Sequence, residues 1–314
     1  MRTSWKPILV AVDGSPAAAA AARAAWALAE AAGVTCHLLH ALPEAWELPI
    51  EPRIETGLNP AELNRIAAEY ARETIAGELT GFVPPEALRH LEIRIGRPVA
   101  AIAAAVQEYD VGLVVVGGKH HSALGRWLVG STAHSLVRTL DVPVLVARDL
   151  PVPIENVLAA VDLSEAASPT VHLAEQIAAL FEAALGLVHV VAPPPAGVGF
   201  PSSLFQVEAA DRSREQLTRY VWPLTTYPDV RTNVRYGSIE PEIAEEAAAC
   251  EADLIVVGSH GKGWFDRVVI GSTTERLLNA LPASLLIVPV VTGRERRPAR
   301  TETPHLALQT GAFP

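Results

Sequence analysis

Gly258, Gly261 and the run Gly271-Ser272-Thr273 are the residues of this chain best suited to holding an anion. Leu254 to Val257 lead into them as an apolar, β-branched run, which reads as a buried strand ending in a glycine turn. The chain then restarts as a helix, with Ser272 or Thr273 able to cap its first amides and Arg276 one turn further in. A helix N-terminus offers N–H donors without internal acceptors and a partial positive charge, and glycine lets a phosphate approach the backbone without meeting a Cβ. Lys262 and Arg267 add charge beside it. An ordinary strand-to-helix loop with turn glycines would contain the same residues.

Carboxylates come next. Asp13 and Asp162 each follow a short apolar run, Ile8 to Val12 and Asn156 to Val161, so each closes a strand. In an open parallel sheet that end faces the ligand crevice, where a carboxylate accepts hydrogen bonds from a sugar hydroxyl or a base amine. A carboxylate there also caps the following turn, which is the plainer reading. Lys119, His120 and His121 form a second polar cluster. Adjacent histidines in a loop rarely reach one ion together, and no cysteine or second histidine pair has ligand spacing, so no metal site is expected. His40 and His189 read as satisfied histidines of the core or rim, and His260 lies inside the glycine loop. No residue set offers a nucleophile, a base and an orienting group at recognisable spacing, so no catalytic residue is assigned.

The elements that position these residues alternate. Strands are expected at Ile8 to Val12, Cys36 to Leu42, Leu91 to Ile95, Leu113 to Val116 and Val142 to Ala147. Between them lie a helix delimited by Ser15, Pro16 and Gly33, helical stretches from Ala61 to Leu79 and Val99 to Tyr109, and one from about Gly130 to Leu140. Pro43 to Pro60 and Gly117 to Val129 read as loops. Such alternation implies a parallel sheet covered on both faces. The pattern then repeats: Asn156 to Asp162 echoes Ile8 to Asp13, Leu187 to Val190 echoes Leu38 to Ala41, and Gly271-Ser272-Thr273 echoes Gly130-Ser131-Thr132. A repeat of this length means two copies of one domain. Asp149 to Pro153 is the expected linker, giving domains 1–149 and 153–291 followed by a basic, proline-containing segment 292–314. That segment reads first as a solvated tail, with docking on the acidic body or a partner as the alternative.

Composition narrows the function classes. Half of the 314 residues are hydrophobic and 19% are charged, which suits a soluble globular protein. The formal net charge of −10 disfavours nonspecific attraction to nucleic acid. Cys36 and Cys250 form neither a zinc spacing nor a disulfide framework, and with no signal-peptide or membrane-spanning run a reducing, cytoplasmic setting is expected.

Gly258, two residues, Gly261, nine residues, then Gly271-Ser272 resembles the nucleotide loop of the universal stress protein family. It is not a Walker A loop, because no Gly-Lys pair is followed by Ser or Thr. The resemblance covers residues 5 to 291 and implies two tandem, doubly wound α/β domains with five-stranded parallel sheets of strand order 3-2-1-4-5. It implies that Asp162 binds the nucleoside end and Val190 lines the adenine pocket. Val257 and Gly258 would contact base and sugar, and Gly261, Gly271, Ser272 and Thr273 the phosphates. The matching first-copy residues are Asp13, Ala41, Gly117, Gly130, Ser131 and Thr132, but His120 stands where the family has the second glycine. Either that side chain crowds the phosphate path, or Lys119, His120 and His121 bind phosphate in place of bare backbone.

The implied ligand is ATP, with Mg²⁺ only through the triphosphate, and the implied action is a nucleotide-dependent stress response through unidentified protein partners. A scaffold without nucleotide and a slow ATPase are the alternatives. The resemblance also implies that the fifth strands, Val142 to Ala147 and Leu285 to Val290, pair within the chain as a built-in pseudo-dimer, with a homodimer of such units possible.

Overall fold

The computed structural model describes residues 5–44, 59–121, 126–128, 130–193, 202–259 and 270–290. The first half runs β1 (Ile8–Ala11), α1 (Pro16–Ala32), β2 (Cys36–Leu42), α2 (Pro60–Leu79), α3 (Pro85–Arg89), β3 (Glu92–Ile95), α4 (Pro98–Glu108) and β4 (Leu113–Gly117). It continues through β5 (Lys119–His121), β6 (Arg126–Leu128), α5 (Ser131–Thr139) and β7 (Val144–Ala147). The second half runs β8 (Asn156–Ala160), α6 (Ala167–Phe181), β9 (Ala184–Val191), α7 (Ser202–Tyr220), β10 (Arg231–Tyr236), α8 (Ile239–Ala249), β11 (Leu254–Gly258), α9 (Ser272–Ala280) and β12 (Ser284–Val288).

Each half has the expected strand order, but the two sheets are one. Ten strands follow the order β10-β9-β8-β11-β12-β7-β4-β1-β2-β3. Strands within a half are parallel; the halves join where β7 and β12 pair antiparallel, Leu145 opposite Leu286. Both strands are wholly buried runs, Val-Leu-Val-Ala and Ser-Leu-Leu-Ile-Val, so a bare edge on either would be adhesive, and pairing covers both. Arg148 locks one end of this seam: its Nη1 donates to the carbonyls of Leu281 and Pro282 at 2.6 Å each. Fully buried Ser284 accepts from the Arg148 amide at 3.0 Å and donates to its carbonyl at 3.1 Å.

Helices cover both faces. α1 and α6 pack on one face, α4, α5, α8 and α9 on the other, each over its own buried apolar cluster. α1 starts as its sequence dictates, with the Ser15 side chain accepting from the Ala18 amide at 3.2 Å and Pro16 in the first turn, and ends at Gly33, whose φ of 67° suits glycine. Six of its alanines, Ala18 to Ala25 without Ala20 and Arg23, are at most 3% exposed. Such small side chains bring the helix close enough that a Cβ on Gly117 would lie 2.7 Å from the Ala17 backbone.

Two local expectations are corrected. The stretch Gly117 to Val129 is not all loop: Lys119–His121 and Arg126–Leu128 pair antiparallel as a small hairpin. The N-cap of α9 is Gly271, not Ser272 or Thr273, and no side chain caps it. Ser164, which stands where Ser15 does in the repeat, is not a helix N-cap; α6 begins later, after Ala166. No helix among the described residues is long and apolar enough to cross a membrane.

Candidate functional site

The strand order of each half reverses between its first and fourth strands, the place where an open α/β sheet leaves a crevice. In the second half the crevice is a cavity of about 330 Å³. Asp162, Val190, Val257, Gly258, Gly271, Ser272 and Thr273 all line it, although they come from four separate stretches of chain. Gly261, His260, Lys262, Arg267 and Trp264 lie outside the described residues.

Part of the wall is apolar. Val190 and Val257, each one residue short of the end of its strand, form it with Ile239 and Ile243, from the first turns of α8. The start of α9 lines the same cavity. Its first amides, at Ser272, Thr273 and Thr274, have no acceptor within the helix, since the Glu275 amide is the first to reach a helical carbonyl, that of Gly271, at 2.9 Å. With no side-chain cap among the described residues, these donors and the positive end of the helix dipole face the cavity as an anion site would require.

The frame around them is tied down. Thr274 Oγ1 donates to the Gly258 carbonyl at 2.8 Å. The Ser259 amide donates to Val288 at 2.8 Å, and its carbonyl accepts from the Gly271 amide at 2.9 Å. Ser259 Oγ also accepts from the Val290 amide at 3.2 Å. The two ends of the glycine loop are therefore bonded to each other, and the Ser259 end to the end of β12.

Asp162 performs two roles. Its Oδ1 accepts from the Ser164 amide at 3.0 Å and from the Ser164 hydroxyl, which fixes the turn after β8. Oδ2 is left for the cavity that Asp162 lines. His189 also lines it, and its Nδ1–H donates to the Val161 carbonyl at 2.8 Å, which fixes the orientation of the ring. The repeat flagged this histidine, but only the fold shows it on the wall. Ile239, Ile243, Thr170 and Thr274 were missed entirely; their contribution depends on where α6, α8 and α9 begin, which short-range pattern does not fix.

The first half repeats part of this arrangement. Asp13 Oδ1 accepts from the Ser15 amide at 3.2 Å and the Ser15 hydroxyl at 2.6 Å, and His40 Nδ1–H donates to Val12 at 2.7 Å. Ala41 lies in β2, Gly117 ends β4, and Gly130 is the uncapped start of α5, followed by Ser131 and Thr132. Gly117 has a packing reason in the approach of α1, and the loop after it is the β5–β6 hairpin, whose second strand packs against α9 of the other half. Among the described residues, no group of three or more His, Cys, Asp or Glu could hold a metal ion.

The profile of the Universal stress protein family matches the chain twice, over residues 4–148 and 153–289. A universal stress protein of Mycolicibacterium smegmatis is 30% identical over 301 residues, covering 90% of this chain and 96% of that protein. The universal stress protein Rv2005c of Mycobacterium tuberculosis is 28% identical over 313 residues, 92% of this chain and 97% of the relative. Among solved structures, a universal stress protein from Archaeoglobus fulgidus superposes with a TM-score of 0.61 at 17% identity, covering 90% of this chain and 98% of its own, a likeness of fold.

Proposed function

This chain belongs to the universal stress protein family, as two copies of its domain in tandem, and on that footing we propose that the C-terminal copy binds an adenine nucleotide, ATP. The observation that carries this reading is the cavity itself, in which apolar side chains and an uncapped helix start line one space. Its volume of about 330 Å³ falls in the range of small-molecule sites. Val190, Val257, Ile239 and Ile243 would hold the base. Asp162 Oδ2 would accept from a ribose hydroxyl, and Gly271, Ser272 and Thr273, with Gly261 from the loop, would hold the phosphates. Mg²⁺ would ride on phosphate oxygens, where it neutralises charge.

The protein is read as a binding protein rather than an enzyme, acting through nucleotide-dependent contacts with other proteins in the cytoplasm. The described wall supplies Asp162 as an acceptor and the uncapped start of α9 as donors, groups suited to holding a ligand. The N-terminal copy we read as a scaffold, because its counterpart loop is a hairpin laid against α9. That contact also offers a physical link from a ligand at the start of α9 to the first half.

The test is calorimetric titration of dialysed protein with ATP and Mg²⁺, beside identification of any nucleotide released on denaturation. One nucleotide per chain is expected, with Asp162→Ala lowering affinity by about 10- to 100-fold, the effect of losing a charged acceptor. Absence of binding by ATP, ADP and AMP, together with no released nucleotide, would sink the reading. Binding that survives in Asp162→Ala but is lost in Asp13→Ala would move the site to the first copy.

A further inference from the structure

Two clefts with Glu30 as a common wall flank the C-terminal end of α1, on the sheet face that α1 shares with α6, and together are treated as one groove. One arm, about 810 Å³, lies between those two helices and is walled by Trp5, Glu30 and Glu175. The other, about 590 Å³, lies between α1 and α3 and is walled by Trp26, Glu30 and Glu86. Glu30 belongs to both. Among the described residues, no salt bridge engages any of these three carboxylates. The C-terminal end of α1 adds partial negative charge, with no basic residue in its last turn to offset it. Lys6, next to Trp5 in the chain, is committed to Asp110 at 2.8 Å, and Arg89 lies one turn from Glu86 on α3. A groove with unpaired carboxylates, a helix C-terminus and two tryptophans suits guanidinium groups, which pair with the first two and stack on the third.

The strand register indicates which guanidinium groups are close. Leu9, Val114, Val144 and Ile287 form one row across β1, β4, β7 and β12. β12 runs against the other three, so Val290 lies at the level of Lys6, beside Trp5, at a lateral separation of about 14 Å for three strand spacings. The chain beyond Val290 carries Arg294, Arg296, Arg297 and Arg300 against a single acid, Glu295, up to that point. An extended chain covers about 20 Å in the six residues to Arg296, enough to enter the groove.

We propose that the arginine-rich segment 294–300 docks in this groove, its guanidinium groups on Glu30, Glu86 and Glu175. The docked segment would strap the α1–α6 side of the seam at the end opposite Arg148. This stands independently of nucleotide binding.

The test is limited trypsin digestion of the full chain, with cleavage after Arg294, Arg296 and Arg300 timed by mass spectrometry. The wild type is compared with Glu30→Gln/Glu175→Gln, two accessible substitutions whose folding is checked by thermal melting. Cleavage about fivefold slower in the wild type is expected at low salt, from a few weak ion pairs acting together. The difference should vanish at about 0.5 M salt and be unaffected by protein concentration. Equal rates for both proteins at low salt would overturn the proposal. Protection that grows with protein concentration would also overturn it, assigning the groove to a second copy.

Discussion

Thr274 Oγ1 donates to the Gly258 carbonyl across 2.8 Å, which pins the first turn of α9 to the last residue of β11. The first copy has Ala133 at the matching place, so this bond exists in one half only. Thr274 is 3% exposed, and Thr274→Val keeps its shape while removing the donor. A stability loss of about 1 kcal/mol is expected, with weaker ATP binding measured by titration. An unchanged affinity would show that the tether does not set the position of the phosphate donors.

Gly117, the first-copy counterpart of Gly258, has a packing role of its own. Gly117→Ala would place its Cβ 2.7 Å from the Ala17 carbonyl carbon and oxygen, which are backbone and cannot swing aside. A cost of about 1–3 kcal/mol is expected in urea unfolding, with nucleotide titration of the second copy unaltered. A neutral result would mean that α1 shifts more freely than its buried alanines suggest.

Arg148 reaches two carbonyls of the other half, Leu281 and Pro282. Arg148→Met should lower stability by about 2–3 kcal/mol, because charged hydrogen bonds are lost at a part-buried seam. The nearby Arg138–Glu275 pair, 3.6 Å apart and about half exposed, should contribute little, so Arg138→Ala is expected to be close to neutral. Comparable losses for the two variants would contradict this ranking.

Burial pushes the Cys36 thiol from 9.0 up to about 12. The folded chain therefore holds this proton more tightly than the unfolded chain. Its contribution to stability is complete below about pH 9 and declines as pH rises toward 12. Wild-type protein should lose more stability between pH 8 and pH 10.5 than Cys36→Ala, as followed by urea midpoints. Alkylation of Cys36 at pH 8 should be far slower than that of an unperturbed thiol, since only about one part in ten thousand is thiolate. Rapid labelling of the native protein would refute the shift.

Much of the architecture was legible before any coordinates. Alternation of apolar runs with capped, alanine-rich helices identified a parallel α/β fold, and the echo of Asp13, His40 and Gly130 in Asp162, His189 and Gly271 identified two copies. Strand order within each half, and the pairing of β7 with β12, came with the family resemblance. The hairpin after β4 was not legible, because Lys-His-His has no strand pattern of its own and pairs only through its partner Arg126–Leu128. The Gly271 cap was missed for a related reason: Ser272 and Thr273 are good capping residues, and only the turn into α9 decides which residue occupies that position.

Local chemistry is therefore written in the chain: which residues can leave a backbone bare, which can accept from a sugar, and which stretches must be buried. Residue types and spacing determine these because they act over a few positions. What the tertiary structure alone decided is convergence. Asp162, Val190, Ile239, Gly258 and Gly271 meet around one space because parallel strands end at a common level and order reverses between β8 and β11. The register of the β7–β12 pairing, Leu145 opposite Leu286, is likewise a tertiary outcome, since two apolar edges far apart in sequence meet only when both halves have folded.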